Sequence, residues 1–164
     1  MLTDYFKHIS HIPHFYMIRL IETKLLSEYI DKTESPFLDL GCGDGSFTKS
    51  LELKDVYGID VDEKAIEGMV NNDHYIKVIL ASASELPFPE GFFGTVFSNC
   101  SLEHMDNLKK VLIEVRRVLK GNGKFIFTVP SSGFIDVIKK DKILGDAGLN
   151  HDAILNEYNE FHHH

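Results

Sequence analysis

The sequence predicts an α/β domain built on a doubly wound parallel sheet, and three observations lead there. Short apolar stretches alternate with helix-like segments through the middle of the chain. The first of these stretches runs into alternate glycines at Gly41, Gly43 and Gly45, followed by a helical pattern. The second ends in an acid, Asp60. Strands and helices in such alternation pack as parallel strands joined by right-handed crossovers.

The elements follow in order. Met1 to Phe15 mixes aromatics and histidines and is interrupted by Pro13. From Met17 the apolar residues Ile18, Ile21, Leu25, Leu26, Tyr29 and Ile30 recur at helical spacing. Thr33-Glu34-Ser35-Pro36 stops that helix and leads into strand one, Phe37 to Leu40. A helix is expected from about Ser46 to Leu53, then strand two from Val56 to Asp60. Asp62 is placed to cap the next helix, which carries Ala65, Ile66, Met69 and Val70. Strand three is Tyr75 to Leu80 and strand four Thr95 to Ser98. An amphipathic helix then shows Leu108, Val111, Leu112, Val115, Val118 and Leu119 on one face. Gly121-Asn122-Gly123 reads as the turn that ends it, before strand five from Lys124 to Val129. Beyond Ser131 two helical stretches are expected, interrupted by Gly145 and Gly148, with no further strand.

The bulk numbers narrow the function classes. A chain of 164 residues with 43% hydrophobic and 26% charged residues suits one globular domain with a real core. The formal charge of −8 argues against a broad phosphate-binding face, so neither nucleic acid nor an anionic membrane is the expected partner. No apolar run approaches the ~20 residues that span a bilayer, and the N-terminus lacks the pattern of a signal peptide. Two cysteines, Cys42 and Cys100, make no disulfide framework. A reduced cytoplasmic protein is the expectation, with both thiols free and partly buried.

The glycine run carries the chemistry. Glycines let the backbone turn sharply and let a ligand press against bare main chain. The spacing is Gly-x-Gly-x-Gly, whereas the dinucleotide fingerprint wants its third glycine where this chain has Ser46. Taken alone, the loop also reads as a plain strand-to-helix turn. Asp60 lies about twenty residues beyond Asp39, where a sheet of this kind places an acid to accept hydrogen bonds from both ribose hydroxyls. The plainer reading of Asp60 is a turn residue.

Four landmarks in order carry a family resemblance. They are Phe37-Leu38-Asp39-Leu40-Gly41-Cys42-Gly43-Asp44-Gly45, Asp60, Ala81-Ser82-Ala83-Ser84-Glu85-Leu86-Pro87-Phe88, and Phe93-Gly94-Thr95-Val96-Phe97-Ser98-Asn99-Cys100-Ser101-Leu102-Glu103-His104. Together they resemble a class I S-adenosylmethionine-dependent methyltransferase of the type 11 kind, over about residues 37 to 130. The resemblance implies a Rossmann-like sheet in the strand order 3-2-1-4-5. It implies S-adenosyl-L-methionine as cofactor, S-adenosyl-L-homocysteine as product, and an unidentified acceptor, for which the acidic balance favours a small molecule. It divides the chain into an N-terminal helical segment (1–33), a cofactor-binding domain (34–130) and a helical tail (131–164) suited to capping the acceptor site. Similar chains carry two more strands as an antiparallel hairpin beside strand five. Their absence here suggests a truncated chain or an edge covered by something else; a bare edge would encourage pairing into a homodimer.

The resemblance also distributes roles. The loop of Gly41, Cys42, Gly43 and Gly45 would hold the methionyl and ribose region. Asp39 would orient the loop or meet the methionyl ammonium. Asp60 would take the ribose, with Val61 against the adenine face. Ser82 stands where the family usually has an aspartate for adenine's exocyclic amine, and the Ala83 amide would reach a ring nitrogen. Carbonyls near Ser98 and Asn99 would face the methionyl amine, with Cys100 and Ser101 lining the pocket. Gly94 replaces another family aspartate. His104 lies near the acceptor's entry as a base, an acceptor-positioning group or a helix-start residue, the structural role being preferred. Val115-Arg116-Arg117-Val118-Leu119-Lys120 matches a helix-turn that informs the fold only, its arginines read as solvated.

Two rival functions stand beside methyl transfer. A nicotinamide-dependent oxidoreductase would use a similar sheet, but Ser46 and the Leu86-Pro87-Phe88 segment count against it. A non-catalytic cofactor-binding or interaction module is favoured by Ser82, Gly94 and the short C-terminus. His8, His11 and His14 are spaced by three, yet Pro13 breaks any helix that would align them and no pattern completes a metal site. His162-His163-His164 reads equally as a tag remnant or as native sequence.

Overall fold

A computed structural model describes residues 13–69 and 73–131. The chain divides into two compact units, Met1–Thr128 and Val129–His164, and the sheet belongs to the first. The expectations for residues 1–12, 70–72 and 132–164, including His8, His11, Val70, both tail helices and His162 to His164, lie outside the described residues.

Helix α1 (Pro13–Ile30) precedes the alternating part. Then come β1 (Phe37–Leu40), α2 (Ser46–Ser50), β2 (Val56–Asp60), α3 (Glu63–Glu67), β3 (Tyr75–Leu80) and β4 (Phe93–Asn99). A 3₁₀ turn at Leu102–His104, helix α4 (Leu108–Val118) and strand β5 (Leu119–Thr128) follow. The five strands pair in the order β3-β2-β1-β4-β5, every neighbour parallel, as the resemblance implies. The chain leaves β1 toward β3 and returns on the other side through β4. The switch point therefore lies between β1 and β4, where such sheets open a crevice at their carboxyl ends.

Period-two alternation sorts the core onto two faces of the sheet. Leu38, Leu40, Ile59 and Val96 pack with Val111, Val115 and Val118 of α4. Phe37, Val56, Tyr75 and Phe97 pack with Leu26 and Ile30 of α1. Burial on both faces accounts for the continuous apolar runs of the central strands.

Several local expectations are corrected. Helix α2 stops at Ser50, short of Leu53. Strand β4 starts at Phe93, and β5 starts at Leu119, so Gly121-Asn122-Gly123 lies within the strand rather than before it. The register explains this: Phe93 pairs with Leu119 and Thr95 with Lys124, so the extra residues bulge out without ending the ladder. On α1, Leu26 and Ile30 are buried, but Ile21, Leu25 and Tyr29 are exposed. The polar Thr23 takes the buried position because its hydroxyl meets Ser50 Oγ at 3.0 Å and the Arg19 carbonyl at 2.8 Å. On α4, Leu108 and Leu112 are likewise exposed.

Candidate functional site

The loop after β1 is held by the end of β2. The Gly41 and Cys42 amides both donate to the Ile59 carbonyl at 2.9 Å. The Gly43 amide donates to Asp60 Oδ2 at 2.7 Å, and the Asp62 amide to Asp60 Oδ1 at 2.9 Å. Gly43 has φ +52°, and a Cβ there would meet nothing within 4 Å, so its main chain faces open space. Asp62 caps α3 as expected, accepting from the amides of Lys64 and Ala65.

A cleft opens at the carboxyl ends of the strands. Its walls come from Gly41 after β1, Asp60 and Val61 at the end of β2, Ala81 to Ser84 after β3, and Ser101 and His104 to Asp106 after β4. Val61 is 70% exposed, an apolar side chain left standing beside Asp60. Ser82 and Ser84 hydroxyls lie 2.9 Å apart. The cleft thus brings together Gly41, Asp60, Val61, Ser82, Ala83 and His104 of the expected site residues. The helix-start reading of His104 is corrected: α4 begins at Leu108 under Asn107, whose side chain accepts from the Lys110 amide. Ser84, Met105 and Asp106 join the walls beyond the expected set, and nothing in their local sequence pattern marks them.

The other expected residues do structural work beside the cleft. Ser98 is buried and its hydroxyl donates to the Leu40 carbonyl at 2.8 Å, tying β4 to β1. Asn99 donates to Glu22 at 3.1 Å and accepts from the Thr128 hydroxyl at 2.7 Å. Cys100, expected to line the pocket, turns its thiol to Glu22 at 3.1 Å; burial and that carboxylate push it up to about 11. Cys42 is buried against Tyr75 and Phe97, and burial raises its thiol well above the ordinary range. Neither thiol is poised as a nucleophile. Gly45 precedes α2 and packs under Tyr75.

Asp39 is 4% exposed and receives the Thr48 hydroxyl and, at 2.6 Å, the Tyr75 hydroxyl on the same oxygen. Its side chain joins β1, α2 and β3 beside the loop. Burial outweighs these two hydrogen bonds and lifts its carboxyl to about 6 from 3.8. Between those values the folded state binds more protons than the unfolded one, so stability from this group falls as pH rises. The contribution is present below pH 4 and lost through pH 6, on the order of 2–3 kcal/mol. Urea unfolding from pH 4 to 7 should show Asp39→Asn gaining on the parent by that amount as pH rises. Parallel profiles would contradict the burial argument.

Arg117 is not simply solvated, which corrects the expectation for the paired arginines. It donates to the carbonyls of Phe88 at 2.7 Å and Leu86 at 2.9 Å, and to both oxygens of Glu114 at 2.7 Å. Glu114 in turn accepts the Leu86 amide at 2.7 Å. This clip fixes the Leu86-Pro87-Phe88 segment, and with it the wall at Ser82 to Ser84, onto α4. The only local signal is the i,i+3 spacing of Glu114 and Arg117.

Among the described residues no group of three or more His, Cys, Asp or Glu is arranged for a metal, and no helix is long and apolar enough to cross a membrane.

Residues 38–127 match the family model described as a methyltransferase domain. An uncharacterized protein of Methanocaldococcus jannaschii, MJ1123, is 33% identical over 124 residues, covering 76% of this chain and 54% of that protein. The mitochondrial arginine-hydroxylase NDUFAF5 of Rattus norvegicus is 35% identical over 92 residues, covering 54% of this chain and 27% of that protein. The crystal structure of the PH0226 protein from Pyrococcus horikoshii OT3 is 31% identical with a TM-score of 0.63, covering 80% of this chain and 62% of that one. The chain spans about half the length of the first of these relatives or less.

Proposed function

Since the chain belongs to the class I S-adenosylmethionine-dependent methyltransferase family, we propose that its cleft binds S-adenosylmethionine and serves methyl transfer to a small-molecule acceptor. The observation that carries this reading is the carboxylate of Asp60. Each of its oxygens already accepts one main-chain amide, from Gly43 and Asp62. A carboxylate offers about four acceptor sites, so about two remain for the two hydroxyls of a ribose. One side chain therefore shapes the loop and is free to anchor the sugar.

The remaining walls fit the rest of the cofactor. Val61 offers an exposed apolar surface to a flat base. Gly43 is not among the cleft's walls, but its main chain, two residues beyond Gly41, faces open space that a side chain would fill. The cofactor, when bound, supplies an electrophilic methyl group on a sulfonium, and that chemistry needs no acid or base when the acceptor is already nucleophilic. The protein's part is alignment and exclusion of water. His104, Met105 and Asp106 line the side of the cleft formed after β4, where an acceptor would be positioned. The formal charge of −8 favours a small molecule over a polyanion.

A thermal-shift scan tests the reading. S-adenosylhomocysteine should raise Tm, NAD should not, and Gly43→Leu should lose the rise while melting cooperatively. A shift with NAD and none with S-adenosylhomocysteine would reverse the assignment to an oxidoreductase. Binding without methyl transfer to any acceptor in an extract, with the full-length chain, would favour a non-catalytic module.

A further inference from the structure

The end of the cleft after β3 is built from hydroxyls and not from an acid. Ser82, Ala83 and Ser84 form that wall, while the cleft's carboxylates come from elsewhere, Asp60 at the end of β2 and Asp106 ahead of α4. Ser82 Oγ accepts the Ser84 amide at 3.2 Å, and the two hydroxyl oxygens lie 2.9 Å apart. Either hydroxyl can be the donor in that contact. The pair has two hydroxyl protons and spends one between its oxygens, whichever way it points. One O–H is always left to donate outward, and at least one lone pair is always left to accept. Reversing the pair costs no bond, because the same contact is made in both directions.

From this we infer that the cleft takes S-nucleosyl thioethers with either a 6-amino or a 6-oxo purine, which rests on the cofactor reading above. With the ribose at Asp60 and the base against Val61, the purine edge falls to the wall of Ser82 to Ser84. A 6-amino group donates and meets a serine lone pair. A 6-oxo group accepts and meets the free serine O–H, while the proton that a 6-oxo purine carries on N1 meets a serine lone pair. A carboxylate at this wall would only accept, and would repel a carbonyl. The hydroxyl pair relaxes base selection at the position where an acid would impose it.

The test is calorimetric binding of S-adenosylhomocysteine and S-inosylhomocysteine to the whole chain. The two dissociation constants are expected to agree within about fivefold, the scale of one neutral hydrogen bond. Ser82 is exposed, so Ser82→Asp should fold normally and should favour the adenosyl compound by more than about thirtyfold, the scale of a charge-assisted bond. Ser82→Ala should weaken both compounds alike. A parent protein that prefers the adenosyl compound by more than about thirtyfold would overturn the inference and leave the cofactor reading standing. Binding of neither compound would overturn both.

Discussion

Gly94→Ala is expected to destabilise the chain by about 3 kcal/mol, the scale of an overpacked core. Gly94 sits in β4 with its amide on the Pro36 carbonyl at 3.0 Å. A Cβ there would fall onto the carbonyl of Glu34, with Ser35 O at 2.8 Å. Those neighbours are main chain, and they cannot give way cheaply. The Thr95 hydroxyl donates to the same Glu34 carbonyl at 2.9 Å, and Pro36 also accepts from Gly94. Moving the segment would therefore break the entry to β1 and the start of β4 together. Gly121→Ala is the control, because a Cβ at Gly121 meets nothing within 4 Å. Urea or thermal unfolding should separate the two variants clearly. Equal midpoints for Gly94→Ala and the parent would refute the close approach. Restoring the acid that the family often carries here would add a buried charge to the same clash, so Gly94→Asp should be worse.

This packing shows why the sequence is readable at some positions and not at others. Strands β1, β2 and β3 coincide with their expected ends because each is a short apolar run cut off by turn residues. Their ends also place Asp60 beside the glycine loop, so the heart of the site is legible. Gly94 reads as a departure from a pattern, and its reason lies in a backbone segment some sixty residues earlier in sequence, which no local signal reveals. Arg117 reads as solvated because arginines in a last helical turn commonly are. Its partners Leu86 and Phe88 are brought to it only by the crossover from β3 to β4. The rotation of α1 is decided by a Thr23–Ser50 contact between two helices, against the apolar pattern. Helical periodicity cannot see a polar side chain that finds a partner across an interface.

Asp60 is where loop, sugar and fold meet, and Asp60→Asn should weaken S-adenosylhomocysteine binding by about 100-fold, the scale of one or two charge-assisted hydrogen bonds. Asparagine keeps one acceptor oxygen and replaces the other by an amide that only donates. Either the Gly43 amide or the Asp62 amide then faces another donor, and one ribose hydroxyl loses its acceptor. Part of the loss would come from a loosened loop and part from the sugar. The 2′-deoxy analogue of S-adenosylhomocysteine separates these parts. In the parent protein the analogue should bind about tenfold more weakly, having lost one hydrogen bond to a charged group. In Asp60→Ala, which removes both acceptor oxygens, the analogue and the full compound should bind nearly alike, because the partner of the missing hydroxyl is gone. The coupling between side chain and hydroxyl is then read directly from the cycle. An undiminished penalty for the analogue in Asp60→Ala would mean that the ribose hydroxyls are held elsewhere. Asp60 would then be a loop anchor alone, and the nucleoside would have to sit outside the cleft between Val61 and Ser82.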